Sequence, residues 1–196
     1  AYTSGPSFSP RGVMLSHQSL VKEAAISGER FQQTEEDIVL LYALPMHHML
    51  GLATILLSSV YKGSTVVIVP GTGLSINSFM ATIERETATM FIGVPYTFTL
   101  AVYMAEKEGT KDDLSSLRLC VSAGAPLSID IVKRFKQYYG LDIADCWGLT
   151  ETVCLVTGPP INGTQELGSI GKALPGWEMK IVDDNGQELP LNQVGE

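Results

Sequence analysis

The sequence predicts an α/β protein with a mostly parallel, doubly wound sheet flanked by helices and with the start of a β-rich subdomain at its C-terminal end. Short apolar runs alternate with segments of helix length as far as residue 158, which is typical of parallel sheets with helices on both faces. Beyond Pro159, glycine, proline and short β-like runs predominate. We therefore expect an α/β core over residues 1–158 and the β-rich start over residues 159–196.

The expected strands are short apolar runs, and the expected helices are longer segments with apolar residues on one face. The predicted strands cover residues 38–42, 65–69, 90–94, Leu119–Ser122 and 143–147. The predicted helices cover residues 49–60, Ile76–Glu86, 96–108 and Ile129–Tyr139, the last with Gly140 as its C-cap. Residues 65–69 are β-branched throughout, which predicts a strand buried on both faces. Asn185 and Gly186, between two β-like runs, predict a hairpin.

Composition narrows the classes of function. The chain has 21 acidic and 13 basic residues, a net charge of −8, which argues against nucleic-acid binding but not against a small anionic ligand held by a few donors. Cys120, Cys146 and Cys154 are odd in number and lack C-x-x-C spacing, so we expect free thiols, a reducing compartment and a cytoplasmic protein. The most apolar stretch, residues 49–60, is too short to span a bilayer, so no transmembrane segment is expected.

The first candidate motif is the segment Y-T-S-G-P-S-F-S-P-R-G-V at residues 2–13. Hydroxyl groups can donate to phosphate oxygens, glycine permits a close backbone approach, and Arg11 adds a charged fork of donors. The segment therefore suits a loop that wraps a polyphosphate, although it lacks the Walker pattern. Composition alone favours a Ser- and Pro-rich surface loop over a phosphate-binding one.

The second motif, P-M-H-H-M-L-G at residues 45–51, contains two adjacent histidines. Neighbouring side chains cannot both face one site, and neither histidine has a partner three or four residues away, so zinc is not favoured. One of them could line a ligand pocket, and the alternative is a half-buried histidine with a structural role.

Two further motifs follow predicted strands, at the position where doubly wound sheets bind ligands. Small residues in S-A-G-A-P at residues 122–126 would let the backbone meet a flat ring, although tight turns often have this composition. In D-C-W-G-L-T-E-T at residues 145–152, an aromatic ring could stack on a base, Thr150 could donate to a phosphate and Glu151 could hold Mg²⁺. The alternative is that Thr150 caps the start of a helix.

Taken in order, these segments resemble the acyl-adenylate-forming superfamily, which contains acyl-CoA synthetases, luciferases and the adenylation domains of peptide synthetases. Its motifs Y-T-S-G-T-T-G-x-P-K-G-V, L-P-x-x-H-x-x-G, G-A-P, Y-G-x-T-E and G-S-x-G-x-x-x-P-G are matched. The matching segments are residues 2–13, 44–51, 124–126, 147–151 and 168–176. Five ordered motifs make the resemblance specific, and it covers the whole chain.

The resemblance implies a two-step reaction. The carboxylate of a substrate similar to a fatty acid attacks ATP to give acyl-AMP, and CoA then displaces AMP. The implied ligands are therefore ATP or AMP, Mg²⁺ and CoA, together with a small carboxylate. The implied catalytic residues are Arg11, Thr150 and Glu151, and Glu151 also ligates Mg²⁺. The implied nucleotide-binding residues are Thr3, Ser4, Gly5, Ser7, Gly124, Ala125, Pro126, Asp145, Trp147, Gly148, Leu149 and Thr150. The implied acyl-pocket residues are His48, Gly51 and Ala123.

The chain departs from the family pattern mainly in the first motif. Pro6 stands in place of a threonine, Phe8 in place of a glycine and Arg11 in place of a lysine, and proline removes both a hydroxyl and a backbone donor. Trp147 also replaces the usual tyrosine. The alternative function is therefore an AMP- or ATP-binding pseudoenzyme or regulatory module.

The family's ribose-binding aspartate and catalytic lysine would follow Glu196. We therefore expect a central part of an enzyme that is inactive in isolation.

Overall fold

The computed structural model describes residues 1–3, 9–69, 76–109, 113–161, 163 and 165–196, and it contains two sheets. The larger sheet consists of β1 (Ile38–Leu41), β2 (Thr65–Ile68), β3 (Met90–Gly93), β4 (Leu119–Ser122) and β5 (Ile143–Asp145), in the order β2-β1-β3-β4-β5. All four neighbouring pairs are parallel. The smaller, antiparallel sheet consists of β6 (Trp147–Gly148), β7 (Leu155–Gly158) and β8 (Lys172–Ala173).

The helices are α1 (His17–Arg30), α2 (Ser58–Lys62), α3 (Ile76–Glu86), α4 (Pro95–Glu108) and α5 (Ile129–Tyr139), and a π-helix (Leu50–Leu57) precedes α2. The Ser16 side chain caps α1 by accepting a hydrogen bond from Ser19 N at 3.0 Å. Gly140 ends α5 with φ +71°, as predicted, since this left-handed conformation favours glycine. The helix predicted over residues 49–60 is confirmed, but it divides into the π-helix and α2.

Successive residues of each strand belong to two different apolar clusters. Val39 and Leu41 of β1 lie in a cluster with the π-helix and β7, whereas Leu40 lies in a second cluster with α3, α4 and α5. This alternation follows from the strand geometry, in which neighbouring side chains point to opposite faces. Helices therefore cover both faces of the larger sheet, which confirms the predicted fold class.

A continuous row of aromatic rings crosses the second cluster. Neighbouring ring centroids are 4.5–5.4 Å apart, at tilted or edge-to-face angles that aromatic pairs favour. The rings belong to Tyr42, Phe79, Phe91, Phe98, Phe135 and Tyr139. This row joins the end of β1 to the end of α5 and ties three helices to one face of the sheet.

Two details of the strand prediction are wrong. The strand predicted to be buried on both faces is β2, which lies at the margin of the sheet, so that Ile68 is 51% exposed. Its β-branched composition predicts an extended backbone, but the position in the sheet is decided by the order of crossovers. Residues 143–147 form two strands instead of one, because the chain leaves the larger sheet after Asp145 and enters the smaller sheet at Trp147.

The C-terminal part contains the predicted turn. Val182 and Glu188 form an isolated antiparallel bridge, and Gly186 lies between them with φ +77°. The smaller sheet combines strands from both sides of residue 158, and the domain boundary at that position stays a prediction. Within the described ranges, every helix is too short or too polar to cross a membrane.

Candidate active site

A cavity of about 390 Å³ opens at the carboxyl ends of β4 and β5, and its size is typical of small-molecule sites. Parallel strands place the residues that follow them at one edge of the sheet, so segments distant in sequence converge there. The lining residues are Thr3, Arg11, His48, Met49, Leu50, Ala123, Gly124, Gly148, Leu149, Thr150, Glu151, Cys154 and Leu155. All four ligand-binding motifs predicted from the sequence therefore contribute to this one cavity.

Some predicted site residues lie elsewhere. Five of them do not line the cavity, namely Gly51, Ala125, Pro126, Asp145 and Trp147. Ala125 and Pro126 are exposed just beyond Gly124, and Trp147 is 38% exposed beside Gly148. Ser4, Gly5 and Ser7, together with Pro6 and Phe8, lie outside the described residues.

One side of the cavity is formed by the two ends of the first motif. Tyr2 and Gly12 form an antiparallel bridge. Thr3 N donates to Arg11 O at 3.0 Å, and Arg11 N donates to Thr3 Oγ1 at 3.4 Å. These contacts hold the backbones of Thr3 and Arg11 side by side, and both residues line the cavity. Hydroxyl and guanidinium groups are donors that suit an anion.

A second part of the cavity lining begins where β4 ends. Ala123 N donates to Gly93 O at 3.1 Å, which extends the β3–β4 pairing by one residue. Gly124 then adopts φ +88°, a conformation that other residues rarely adopt. The absence of a side chain at this turn leaves the backbone accessible to a flat ligand.

Residues 148–155 form a tight turn, here called the Glu151 turn, that connects β6 with β7. Thr152 N donates to Leu149 O and Val153 N donates to Thr150 O, both at 3.2 Å. Thr150 does not start a helix, because the next regular element is β7. The interpretation of Thr150 as a helix cap is therefore wrong, and the turn presents both Thr150 and Glu151 to the cavity.

The Glu151 turn contains a strained residue. Val153 has φ +72° although it is β-branched and only 6% exposed. Such a conformation costs free energy and persists only where the surrounding structure enforces it, frequently at functional sites.

Gly148 makes the closest backbone approach in the turn. A Cβ atom at this position would lie 1.5 Å from the carbonyl oxygen of Cys154. We expect Gly148→Ala to separate β6 from β7 and to lower the free energy of unfolding by about 3 kcal/mol in thermal or urea denaturation. In the control Gly12→Ala, the added Cβ would lie 3.6 Å from the Tyr2 ring, an ordinary contact. Equal losses in the two variants would contradict the importance of this approach.

The histidine motif forms the rim of the cavity. His48 is exposed, and its Nδ1 accepts a hydrogen bond from Leu50 N at 3.2 Å. Gly51 has a packing role instead, because a Cβ there would lie 2.6 Å from the Pro45 carbonyl oxygen. Met49 and Leu50 line the cavity and were missed, although they directly follow His48 where the chain turns into the π-helix.

Asp145, the last residue of β5, lies beside a smaller neighbouring cavity with Gln165, Glu166 and Ser169. Burial raises the pKa of the Asp145 carboxyl to about 6. A carboxyl group with a shifted pKa beside a cleft is a candidate functional-site residue.

Cys154 and Leu155 also line the cavity and were missed, because no sequence signal shows that β7 returns to β6. Thr54 Oγ1 donates to Cys154 Sγ at 3.0 Å, and burial raises the pKa of this thiol, so Cys154 is not a thiolate nucleophile. Below the turn, burial raises the pKa of Glu23 to about 7, against the opposing effect of hydrogen bonds from Leu155 and Ser27.

Within the described part of the chain, no group of three or more His, Cys, Asp or Glu side chains could hold a metal ion. Mg²⁺ differs from zinc in this respect, since proteins usually bind it through one or two carboxylates and the phosphates of a substrate. Glu151 is a carboxylate beside Thr150 in the cavity, so its chemistry fits an ion that is shared with a phosphate group.

Comparisons with known proteins agree with this geometry. The chain is 33% identical to "4-coumarate--CoA ligase-like 8" of Arabidopsis thaliana, over 100% of this chain and 36% of that protein. It is 31% identical to "Acetyl-coenzyme A synthetase" of Bacillus subtilis, over 99% of this chain and 34% of that protein. It superimposes with a TM-score of 0.91 on the anthranilate CoA ligase AuaEII in complex with anthranoyl-AMP, at 30% identity over 99% of this chain and 37% of that chain.

The chain therefore spans about a third of the length of these relatives. The family described as "AMP-binding enzyme" matches residues 1–196. The four motifs that converge on the cavity are also among the motifs that resemble this family in the sequence. The chain belongs to the AMP-binding enzyme family.

Proposed function

We propose that the chain forms the nucleotide- and acid-binding part of an ATP-dependent carboxylate-activating ligase, which makes an acyl-AMP and then an acyl-CoA. The observation that carries this proposal is the convergence of Thr3, Arg11, Thr150 and Glu151 on one cavity at the carboxyl edge of a parallel sheet. The names of the relatives, which are CoA ligases or synthetases, support the same reaction.

In the first step, a carboxylate oxygen of the acid would attack the α-phosphorus of ATP. The bond to the oxygen that bridges the α- and β-phosphorus atoms would break, and pyrophosphate would leave with that electron pair. The protein contributes mainly by positioning the reactants and stabilising negative charge. Arg11 and Thr3 would donate to the departing phosphates, and the hydroxyl of Thr150 would donate to the α-phosphate.

Glu151 would hold Mg²⁺, which supplies charge neutralisation at the phosphates when it is bound. The Glu151 carboxylate has no ion-pair partner among the described residues. It is therefore available to a cation.

The nucleoside would lie along the ends of β4 and β5. Gly124, with Ala125 and Pro126 beyond it, would offer accessible backbone to the adenine ring. Asp145 would accept a hydrogen bond from the amino group of the base, and the exposed ring of Trp147 would stack on it. Gly148 and Leu149 would contact the nucleotide, and the roles of Ser4, Gly5 and Ser7 in phosphate binding rest on the sequence alone.

In the second step, the sulfur of CoA would attack the acyl carbonyl carbon, and the bond from that carbon to the AMP oxygen would break. AMP would leave as the anion, and the thiol proton would pass to solvent. His48 and Ala123 line the side of the cavity opposite the phosphate-binding groups in this proposal, and Gly51 would support His48 by packing. A fatty-acid-like acid is the substrate that the sequence resemblance suggests, whereas the names of the relatives print coumarate, acetyl and anthranilate instead.

An AMP- or ATP-binding pseudoenzyme is the second candidate, and the observation that favours it is the presence of Pro6 and Phe8 in the first motif. The affinity for ATP would then be little higher than the affinity for AMP, because the β- and γ-phosphates would find fewer donors.

In the full-length protein, the double change Pro6→Thr with Phe8→Gly separates the two functions. If it tightens ATP but not AMP, the natural loop is deficient.

Calorimetry with AMP tests the proposed site directly. The chain is expected to bind AMP, and Thr150→Val is expected to weaken binding about 10-fold or more, because a hydrogen bond to a charged group is worth about 1.5–3 kcal/mol. Thr82→Val is the matched control, since Thr82 lies on α3 and donates only to Ser78 O. The absence of AMP binding at millimolar concentrations, or equal effects of both variants, would contradict the proposed site.

A further inference from the structure

The last residue of the Glu151 turn donates a hydrogen bond to a buried carboxyl group from a distant segment. Glu23 lies on α1 and is 3% exposed. Its Oε1 accepts hydrogen bonds from Leu155 N and from Ser27 Oγ, each at 3.0 Å. Leu155 both begins β7 and lines the cavity, so the carboxyl group contacts the backbone at the point where the turn ends.

The bond to Leu155 fixes one of the two strands that carry the turn. Leu155 lies opposite Gly148 in the β6–β7 pairing, and there is a register irregularity at Trp147 and Gly148. A buried N–H group needs a partner, and without Glu23 the amide of Leu155 would lose the partner that the structure gives it. The position of β7, and with it the position of the turn, therefore depends on this side chain.

The conformation of the turn makes such support necessary. Val153 holds an unfavourable φ of +72°, which would relax if the ends of the turn were free to move. The hydroxyl of Thr54 contacts Cys154 Sγ from the π-helix, but sulfur is a weaker acceptor than a carboxyl oxygen. Among the described residues, two side-chain hydrogen bonds reach the turn from other segments, and the bond to Glu23 is the stronger of them.

A carboxyl group is also an unexpected choice for a purely apolar interior. Its burial costs free energy that an aliphatic side chain of similar size would avoid. Val153, Cys154 and Leu155 of the turn belong to the first apolar cluster, which also contains leucine, isoleucine and valine side chains from other elements. If the side chain at position 23 only filled space, leucine would therefore be more stabilising there than glutamate.

We propose that Glu23 is a positioning residue of the acid-activating site: its contact with Leu155 N fixes the turn that presents Thr150 and Glu151 to the cavity. This inference rests on the proposed function, although the positioning itself does not require a ligand. Glu23 touches no substrate and takes part in no bond-making step.

The experiment compares three variants of the chain. Glu23→Leu removes the acceptor and keeps the volume, Glu23→Gln restores an oxygen acceptor, and Phe135→Leu perturbs the aromatic row on the opposite face of the sheet. The first readout is amide hydrogen exchange in residues 148–155, with β3 and β4 as reporters of global opening. The second readout is AMP affinity by calorimetry.

Glu23→Leu is expected to accelerate exchange in the turn on the order of 10-fold beyond its effect on β3 and β4, and to weaken AMP binding on the order of 10-fold. Glu23→Gln is expected to return both values to within about 2-fold of the natural chain, since a neutral acceptor can make the same bond. Phe135→Leu should lower the melting temperature without selective exchange in the turn.

Two outcomes would overturn the inference. One is uniform acceleration of exchange in Glu23→Leu, with the pattern of Phe135→Leu, and the other is failure of Glu23→Gln to restore the turn. If the turn loosens selectively but the natural chain does not bind AMP, the proposed function fails while the positioning by Glu23 stands. The exchange measurement and the affinity measurement thus fail independently.

Discussion

Replacing Asp37 with alanine is expected to lower the free energy of unfolding by about 3 kcal/mol, because it removes the buried carboxylate of a partly buried ion pair. Arg118 Nε donates to Asp37 Oδ1 at 2.8 Å, and a second guanidinium nitrogen donates to Oδ2 at 2.6 Å. The Asp37 side chain is only 4% exposed, whereas that of Arg118 is 36% exposed. Water can therefore solvate the freed guanidinium in part, which places the loss at the lower end for broken buried pairs.

Urea denaturation measures this loss, and an exposed ion pair provides the control. Lys136 Nζ lies 2.8 Å from Asp142 Oδ1, and more than half of each side chain is exposed. Asp142→Ala is expected to change the free energy of unfolding by less than about 1 kcal/mol, since exposed pairs contribute little. Comparable losses in Asp37→Ala and Asp142→Ala would show that the Asp37 pair is no more than a surface contact.

The stabilisation by Asp37 is expected to decrease as the pH falls. Burial raises the pKa of Asp37, but hydrogen bonds from Arg118, Thr34 and Thr89 outweigh it and lower the pKa from 3.8 to about 2. A carboxyl whose pKa is lowered by folding stabilises the protein above its unfolded pKa. This contribution, about 2 kcal/mol, is lost as the pH falls from about 4 towards 2. The natural chain should lose it over that interval, and Asp37→Ala should not.

Under the proposed function, Glu151→Gln in the complete ligase is expected to slow the formation of acyl-AMP on the order of 10²-fold. Loss of one charge-stabilising contact at a transition state typically costs about 3 kcal/mol. The amide keeps the shape of the carboxylate but removes the charge that would hold Mg²⁺. ATP–pyrophosphate exchange measures this step, and a Mg²⁺ titration should show a weaker apparent affinity for the metal ion.

Glu36→Gln provides the matched control for this variant. Glu36 is exposed and precedes β1, at the edge of the sheet opposite the cavity, so its loss of charge should leave exchange unchanged. If Glu151→Gln retained natural exchange rates and Mg²⁺ dependence, Glu151 would be a turn residue without a role in catalysis.

Local patterns predicted the elements that depend on local physics. The bounds of α5 follow from an amphipathic period and a terminal glycine, Gly140, and both are properties of a few neighbouring residues. The position of β2 at the sheet margin depends instead on which crossovers the chain makes. No property of residues 65–69 by themselves records that order, so the burial of this strand was predicted wrongly.

The same distinction applies to the site. Ala123 and Gly124 directly follow β4, and Thr150 and Glu151 come soon after β5, beyond the short strand β6. Because β4 and β5 are parallel, the segments that leave them start at one edge of the larger sheet, so the convergence of these residues could be predicted. Leu155 reaches the cavity only because β7 folds back on β6, and the buried Glu23 reaches Leu155 from another segment. These contacts join residues far apart in sequence, and no sequence motif predicts them.

The margin formed by β2 also bears on how the protein behaves in concentrated solution. No described strand pairs with the outer edge of β2, so backbone donors and acceptors lie there beside uncharged β-branched side chains. Such an edge is a template on which a second extended chain can add, and aggregation starts at edges of this kind. The net charge of −8 repels molecules at a distance, but β2 itself contains no charged residue at the edge where two chains would first make hydrogen bonds.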